Sequence, residues 1–313
     1  MRQKPNHALK LGIIGMSEGN GHPYSWAAII NGKYDEHLMD QCGFAGIPIY
    51  LKANKDTLGI EGAQVTHIWT QDMELSRHIA QASAIESVVE NMEDMIGEVD
   101  AVLLARDDPE FHVAMARPFI EAGVPLFVDK PLAGNVDDLA YFSAQHRLGK
   151  LFMSCSSMRY AIECRTAKTL WADMGNIELV TTTGKKDWTK YGVHMLEAVF
   201  ALLDDPKVVS VQNTGKTGKE IVHIIFENGL DLTVHLFQDI APTFQISVFG
   251  QKGWQLIDIK NSYAMFKENL MEFIRAVREG KTRLSFEKTE NIIRTLIAAK
   301  QSAAQGGRLI NLL

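Results

Sequence analysis

The chain has only three cysteines in 313 residues, Cys42, Cys155 and Cys164. None sits in a C-x-x-C pair, and an odd number cannot close an even disulfide framework. A stapled secreted scaffold is therefore excluded and a reducing compartment is expected. Long apolar runs are missing too: none approaches the roughly 20 residues that a membrane span requires. The opening MRQKPNHALKLGIIG lacks an apolar core followed by a small-residue cleavage site, so no secretory signal is expected. Positive charge is in short supply, with 32 Lys+Arg against 38 Asp+Glu and a formal net charge of −6. The basic residues are scattered, which argues against a nucleic-acid partner. What remains, 46% hydrophobic and 22% charged, is ordinary for a globular protein long enough for two domains. A cytoplasmic protein with neither nucleic acid nor membrane as partner is expected.

The first half alternates short apolar runs with helix-length segments. LKLGII (9–14), VTHIWT (65–70), VDAVLLA (99–105) and VPLFVD (124–129) read as strands of βαβ units in a parallel sheet. A helix is expected from 108, with Asp108 as cap and Pro109 in its first turn, ending at Gly123. After residue 150 the pattern turns β-rich, with an ENG hairpin and a glycine turn in FQISVFGQKGWQLIDI. Two amphipathic helices, near 267–279 and 287–304, close the chain. The expected fold class is α/β. A Rossmann-type doubly wound parallel sheet (1–152) would be followed by an α+β domain (153–313) with a large, mixed, mostly antiparallel open sheet. About thirty residues between Gly32 and Val65 fit no short connection; they read as a surface excursion or as a lid or pocket wall.

Residues 15–22, GMSEGNGH, follow a strand and precede a helix. Phosphate binding there needs exposed backbone N–H groups and no bulk beside the pyrophosphate. Gly15 meets the need for a tight turn, but Ser17 and Asn20 stand where G-x-G-x-x-G has its second and third glycines. Gly15, Met16, Ser17, Gly19 and Asn20 are the candidate phosphate loop, with a plain strand-to-helix turn as the alternative. At the end of the next strand, where a carboxylate usually meets the ribose, stand Thr70, Gln71 and Asp72. Asp72 can contact the cofactor or cap the following helix. Asp129-Lys130-Pro131 ends another strand and puts a lysine at the edge of the sheet where ligands bind. A lysine there can exchange protons, or it can simply be solvated.

Together, GIIG, VDAVLLARDDPEFH, EAGVPLFVDKPLA, MSCSSMRY and YGVHMLEAVFALL resemble the Gfo/Idh/MocA oxidoreductase family, over nearly the whole chain. Asp129-Lys130-Pro131 looks like that family's Glu-Lys-Pro signature with an acid exchanged, and Arg159-Tyr160 like its Arg-aromatic pair. The resemblance implies an NAD- or NADP-dependent dehydrogenase or reductase acting on a sugar, cyclitol or related polyol. It assigns catalysis to Lys130 and, through Gly192-Val193-His194, to His194. It adds Ala105, Arg106, Asp107 and His112 to the cofactor contacts, beside Asp129 and Lys130. Such chemistry needs a base for the hydroxyl proton, which His or Lys can supply, and needs no metal.

The family's aspartate four residues before that histidine is replaced by Lys190, which would suit an anionic substrate group or mark lost chemistry. Arg159, Trp188, Lys190, Tyr191, His194 and Lys130 are the candidate substrate contacts. A nucleotide- or sugar-sensing binding protein on the same scaffold is the alternative function. Apolar strands such as IVHIIF and LTVHLF predict a homodimer or homotetramer formed through the second sheet.

Overall fold

In a computed structural model of the chain, residues 8–312 are described; part of the N-terminal segment read above, residues 1–7, lies outside the described residues. The chain divides into two compact units. The first runs to Ala133 and adds Ala140–Cys155 and Phe266–Phe286; the second holds Gly134–Leu139, Ser156–Met265 and Glu287 onward.

Up to residue 155 the elements are β1 (Leu9–Ile14), α1 (His22–Asn31), α2 (Glu36–Asp40), α3 (Gly46–Ala53), β2 (Ala63–Trp69), α4 (Met73–Ala82), β3 (Ser87–Val88), β4 (Ala101–Leu104), α5 (His112–Ala122), β5 (Leu126–Val128), α6 (Val136–Arg147) and β6 (Phe152–Met153). The strands form one parallel sheet in the order β3-β2-β1-β4-β5-β6. β4 and β5 are buried throughout, which is why they read as unbroken apolar runs rather than alternating ones. The order reverses between β1 and β4, and an open α/β sheet binds its ligands at such a switch point, beyond the strands' carboxyl ends.

Local signals explain the helix starts, with one correction. Asp72 caps α4, its Oδ1 accepting from the N–H groups of Glu74 at 2.8 Å and Leu75 at 3.2 Å. Asp108 does not cap the next helix, because its carboxylate takes the Arg106 guanidinium at 2.8 and 2.5 Å. The chain instead enters α5 through a 3-10 turn, Pro109–Phe111. The excursion after Gly32 is not an irregular loop. Asp35 caps α2 through the Leu38 N–H at 2.9 Å, and Met39, Ile47 and Leu51 are buried.

From Ser156 the elements are α7 (Ile162–Lys168), β7 (Ile177–Lys185), α8 (Val193–Leu202), β8 (Val208–Asn213), β9 (Lys219–Phe226), β10 (Asp231–Phe237), β11 (Phe244–Gly250), β12 (Trp254–Asp258), α9 (Ser262–Glu279), α10 (Phe286–Ala304) and β13 (Ile310–Asn311). The seven strands lie in the order β12-β11-β7-β10-β9-β8-β13. Only β7 and β10 pair in parallel; the other pairs are antiparallel. β9 and β10 form the hairpin announced by ENG, with Ile225 opposite Asp231. Period-2 alternation sends Val180, Val222, Ile224, Leu232, Val234, Ile246 and Val248 into a core shared with Leu196, Val199, Ile292 and Leu296 of α8 and α10. On the edge strand β12, Trp254 and Leu256 stay 70% and 51% exposed.

A single cut near residue 152 misses one feature: most of α9 belongs to the first unit. Arg278 donates to the Gly62 carbonyl at 2.8 Å, Lys267 to that of Thr57, and Phe273 meets the Phe127 ring edge-on at 5.7 Å. These partners are more than a hundred residues away, beyond the reach of a local pattern.

Candidate functional site

In the first unit, the turn after β1 is built around Gly15, in the left-handed region at φ 76°. A Cβ there would lie 2.6 Å from the side chain of Arg106, so both conformation and space demand glycine. Gly19 is also left-handed, φ 78°, with nothing within 4 Å of a Cβ position. Such a turn opening a helix at a switch point fits the pyrophosphate of a dinucleotide. The ribose end fits less well. The Thr70 hydroxyl donates to the Asp72 carbonyl at 2.7 Å, and Asp72 is engaged as a cap, so β2 ends without a free carboxylate. Gln71, outside the expected set, holds both main-chain groups of Met16, N–H at 3.1 Å and carbonyl at 2.6 Å.

The loops after β1, β4 and β5 meet in a buried polar cluster. Lys130 is 5% exposed, and its Nζ donates to Asp107 Oδ2 at 3.2 Å. The Ser17 hydroxyl donates to Asp107 Oδ1 at 2.6 Å and accepts from the Asp107 N–H at 3.1 Å. Asn20 donates to Asp129 Oδ2 at 2.9 Å, and the Lys130 N–H donates to Asp129 Oδ1 at 2.7 Å. His112 links the two later loops, one ring nitrogen 3.1 Å from the Leu132 carbonyl and the other 2.9 Å from that of Arg106. Ala105 is fixed by its N–H to the Ile14 carbonyl at 2.9 Å. Ser17, Asn20, Asp107, Asp129 and Lys130 thus come together, although 113 residues separate the first from the last. Thr70 and Asp72 serve local structure instead.

Sequence reasoning missed His22. Its Nδ1 donates to Asp129 Oδ2 at 2.6 Å. Burial alone would push the Asp129 carboxyl up, but His22, Lys130 and the hydrogen bond hold it below the usual carboxylate range. Nothing local links positions 107 apart; only the parallel sheet puts the start of α1 beside the end of β5.

In the second unit, Trp188–Gly192 forms a π-helical turn leading into α8, capped by Asp187, which accepts from the Lys190 N–H at 3.0 Å. Such turns often mark functional segments. His194 Nδ1 lies 2.6 Å from the Ser156 hydroxyl. Tyr191 packs edge-on against His194 at 5.0 Å and stacks on Phe244 at 6.0 Å; its hydroxyl accepts from Lys186 at 2.6 Å. Lys190, Tyr191 and His194 are half-buried, the state expected of groups that could meet a ligand.

Two expected substrate contacts make structural interactions. Trp188 is buried, its indole N–H donating to the Leu296 carbonyl at 3.0 Å, and a Cβ on Gly192 would strike its ring at 2.8 Å. Arg159 is buried between two carboxylates, with Nε 2.5 Å from Glu197 Oε2 and Nη2 2.7 Å from Asp205 Oδ1. Lys288 adds a 2.9 Å contact to Asp205. Burial raises the Glu197 carboxyl despite Arg159. Burial also acts upward on Asp205, but Arg159 and Lys288 outweigh it and hold that carboxyl low. Glu197 therefore balances an arginine. Among the described residues, no group of three or more His, Cys, Asp or Glu is placed to hold a metal ion.

A parallel sheet in this order, with a glycine turn at its switch point and a following mixed-sheet unit, defines a two-part protein whose first unit is of the Rossmann type. Residues 9–148 match the Gfo/Idh/MocA family model, described as an oxidoreductase family with an NAD-binding Rossmann fold. No curated protein sequence matches the chain. Among solved structures, it is similar to a probable dehydrogenase from Thermotoga maritima, 16% identical with a TM-score of 0.76 over 97% of this chain and 98% of that one. It is also similar to GenD2 from gentamicin A biosynthesis in complex with NAD, 15% identical with a TM-score of 0.77 over 100% and 99%. Myo-inositol dehydrogenase from Lactobacillus casei, in complex with NAD(H) and myo-inositol, is 14% identical with a TM-score of 0.76 over 98% and 97%. At such identities the likeness is one of fold. No helix among the described residues is long and apolar enough to cross a membrane.

Proposed function

We propose that the chain is an NAD- or NADP-dependent oxidoreductase acting at a CH–OH or carbonyl carbon of a sugar, cyclitol or related polyol in the cytoplasm. The observation that carries this reading is Lys130, buried at the carboxyl end of β5 and ion-paired to Asp107, beside a glycine turn at the switch point. The family-model match over residues 9–148 and neighbours solved with NAD support the cofactor; the neighbour solved with myo-inositol supports the substrate class.

The backbone from Gly15 to Asn20 would hold the pyrophosphate, with Ser17 and Asn20 fixing the loop against Asp107 and Asp129. When bound, a nicotinamide cofactor supplies or takes up the hydride. The protein's part is the proton: Lys130 would hold one at Nζ and Asp107 would orient that amine, while in the second unit His194 is the group able to exchange a proton. Lys190 and Tyr191 contribute polar contacts, and Lys190 would favour a substrate with a negative group. Self-association through the second sheet, as a homodimer or homotetramer, would cover Trp254 and Leu256.

Titration with NADH and NADPH, followed by nicotinamide fluorescence, tests the cofactor; a panel of sugars and cyclitols with the oxidised cofactors tests turnover. Binding plus turnover that disappears in Lys130→Ala is expected. Binding without turnover on any panel member would favour the second reading, a nucleotide- or sugar-sensing protein. One observation favours that reading: Gln71 closes both main-chain groups of Met16, in the loop meant for phosphate.

A further inference from the structure

The cluster around Lys130 leaves one group unexplained. His22 is tied to Asp129, yet no step above uses it. Asp129 accepts from Asn20, His22 and the Lys130 N–H, so it behaves as an ionised carboxylate, which can only accept. The proton between it and His22 therefore resides on Nδ1, and Nε2 is left as the ring's second hydrogen-bonding atom. The ring is held on three sides. It stacks on Trp26 at 4.4 Å with a 16° interplanar angle, meets the Phe266 ring edge-on at 5.3 Å, and turns Nδ1 to Asp129. The His22 side chain nonetheless remains 16% exposed.

His22 opens onto a cavity of about 280 Å³ lined by Phe44, Ile47, Tyr50, Phe266 and Ser25, with Gly21 and Gly46 in its wall. α3, from the excursion between Gly32 and Val65, supplies one side. The excursion packs directly on the turn: a Cβ on Gly21 would lie 2.6 Å from Ile47 and 2.7 Å from Phe44. The walls are overwhelmingly apolar and aromatic, with Tyr50 and Phe266 rings 6.2 Å apart. Concave, apolar spaces with one or two placed polar groups are the usual form of a small-molecule site. A polyol would leave several hydroxyls unpaired against such walls, at a cost for each. A quaternary ammonium would suit the rings but would find no hydrogen-bonding use for Nε2.

We infer that this cavity is a binding subsite for a compact, neutral, apolar molecule carrying one hydroxyl, which hydrogen-bonds to Nε2 of His22, with Asp129 orienting the ring. The site lies wholly within the first unit and does not depend on the oxidoreductase reading. It can be tested without cofactor or turnover, so the two readings fail separately.

The experiment uses the full chain, free of cofactor, titrated with benzyl alcohol, toluene and tetramethylammonium, and read by ring-nitrogen NMR of His22. Benzyl alcohol is expected to bind about tenfold more tightly than toluene, the worth of one good hydrogen bond, and to shift the Nε2 resonance. Gly46→Phe is the blocking variant. Gly46 lies outside the left-handed region and a Cβ there meets nothing within 4 Å, so the ring can be added without strain. It is expected to abolish alcohol binding while the melting curve stays in place. His22→Phe keeps the stacking on Trp26 and should bring the two affinities together. Equal affinity for alcohol and hydrocarbon in the wild type, preference for tetramethylammonium, or undiminished binding in a folded Gly46→Phe variant would each overturn the assignment.

Discussion

Arg159→Leu separates the two roles that this residue could have. If the guanidinium contacts substrate, the variant raises KM and leaves folding alone. In the structure it lies between Glu197 and Asp205, both buried, and Leu would leave one carboxylate without its cation and the other with Lys288 only. Breaking a buried pair by removing one partner costs about 3–5 kcal/mol. For a unit of this size that is a fall of about 6–20 °C in melting temperature. The pH dependence gives a second readout. In the wild type, Asp205 titrates below its unfolded value, so its contribution is present above about pH 4 and is lost as pH falls further. Without Arg159, Glu197, already raised by burial, loses the cation that lowers it and binds its proton still more readily in the folded state, while Asp205 keeps Lys288. The variant's stability therefore falls as pH rises, and its deficit shrinks on acidification toward about pH 4. Calorimetry or circular-dichroism melts at neutral and mildly acid pH measure both. A variant that melts within about 1 kcal/mol of wild type at neutral pH, with an elevated KM, would refute the clamp and restore Arg159 to the substrate.

Lys130→Ala is expected to lower kcat by about 10²–10⁴ and, because it leaves Asp107 buried without its cation, to cost about 3–5 kcal/mol of stability, so turnover is read at a temperature where the variant is folded; wild-type turnover would remove Lys130 from the chemistry. Gly15→Ala forces a side chain into φ 76° against Arg106, costing about 1–3 kcal/mol and weakening NADH binding, which fluorescence titration reads; unchanged affinity would contradict the phosphate-loop assignment. Asp129→Asn should destabilise by about 1–3 kcal/mol at neutral pH. Since Asp129 titrates below its ordinary range, urea midpoints of wild type and variant should converge only as pH falls below about 4, and a constant gap down to strong acid would be inconsistent with an ionised Asp129. Trp254→Lys combined with Leu256→Lys should convert an oligomer to monomer in light scattering; an unchanged mass would place the interface elsewhere.

Much of the fold was legible because burial leaves periodic marks. Strands buried on both faces must be apolar at every position, as in Ala101–Leu104 and Leu126–Val128; strands with one buried face alternate, as in Lys219–Phe226. Of the alternatives left open for Asp72, the cap is the one observed, since its carboxylate sits just ahead of the helix whose N–H groups it accepts. The cap expected of Asp108 failed because Arg106, two residues away, competes for the same carboxylate with two charge-assisted hydrogen bonds. The excursion after Gly32 was read through its odd length, while its helical content lay in two short helices, α2 of five residues and α3 of eight, too brief for a clear period.

By itself the sequence determined the alternation of strands and helices in the first half, the glycine at the first turn, and the lysine at the end of the β5 strand. Those properties depend on neighbours within a few residues. Tertiary structure alone decided that Asp129 would hold His22, that Asp107 would take Lys130, and that Arg159 would be clamped between Glu197 and Asp205. It also drew α9 back onto the first unit. Each of these joins side chains from distant segments, and the strength of a charge pair depends on how much water the surrounding fold removes, which no single stretch of chain records.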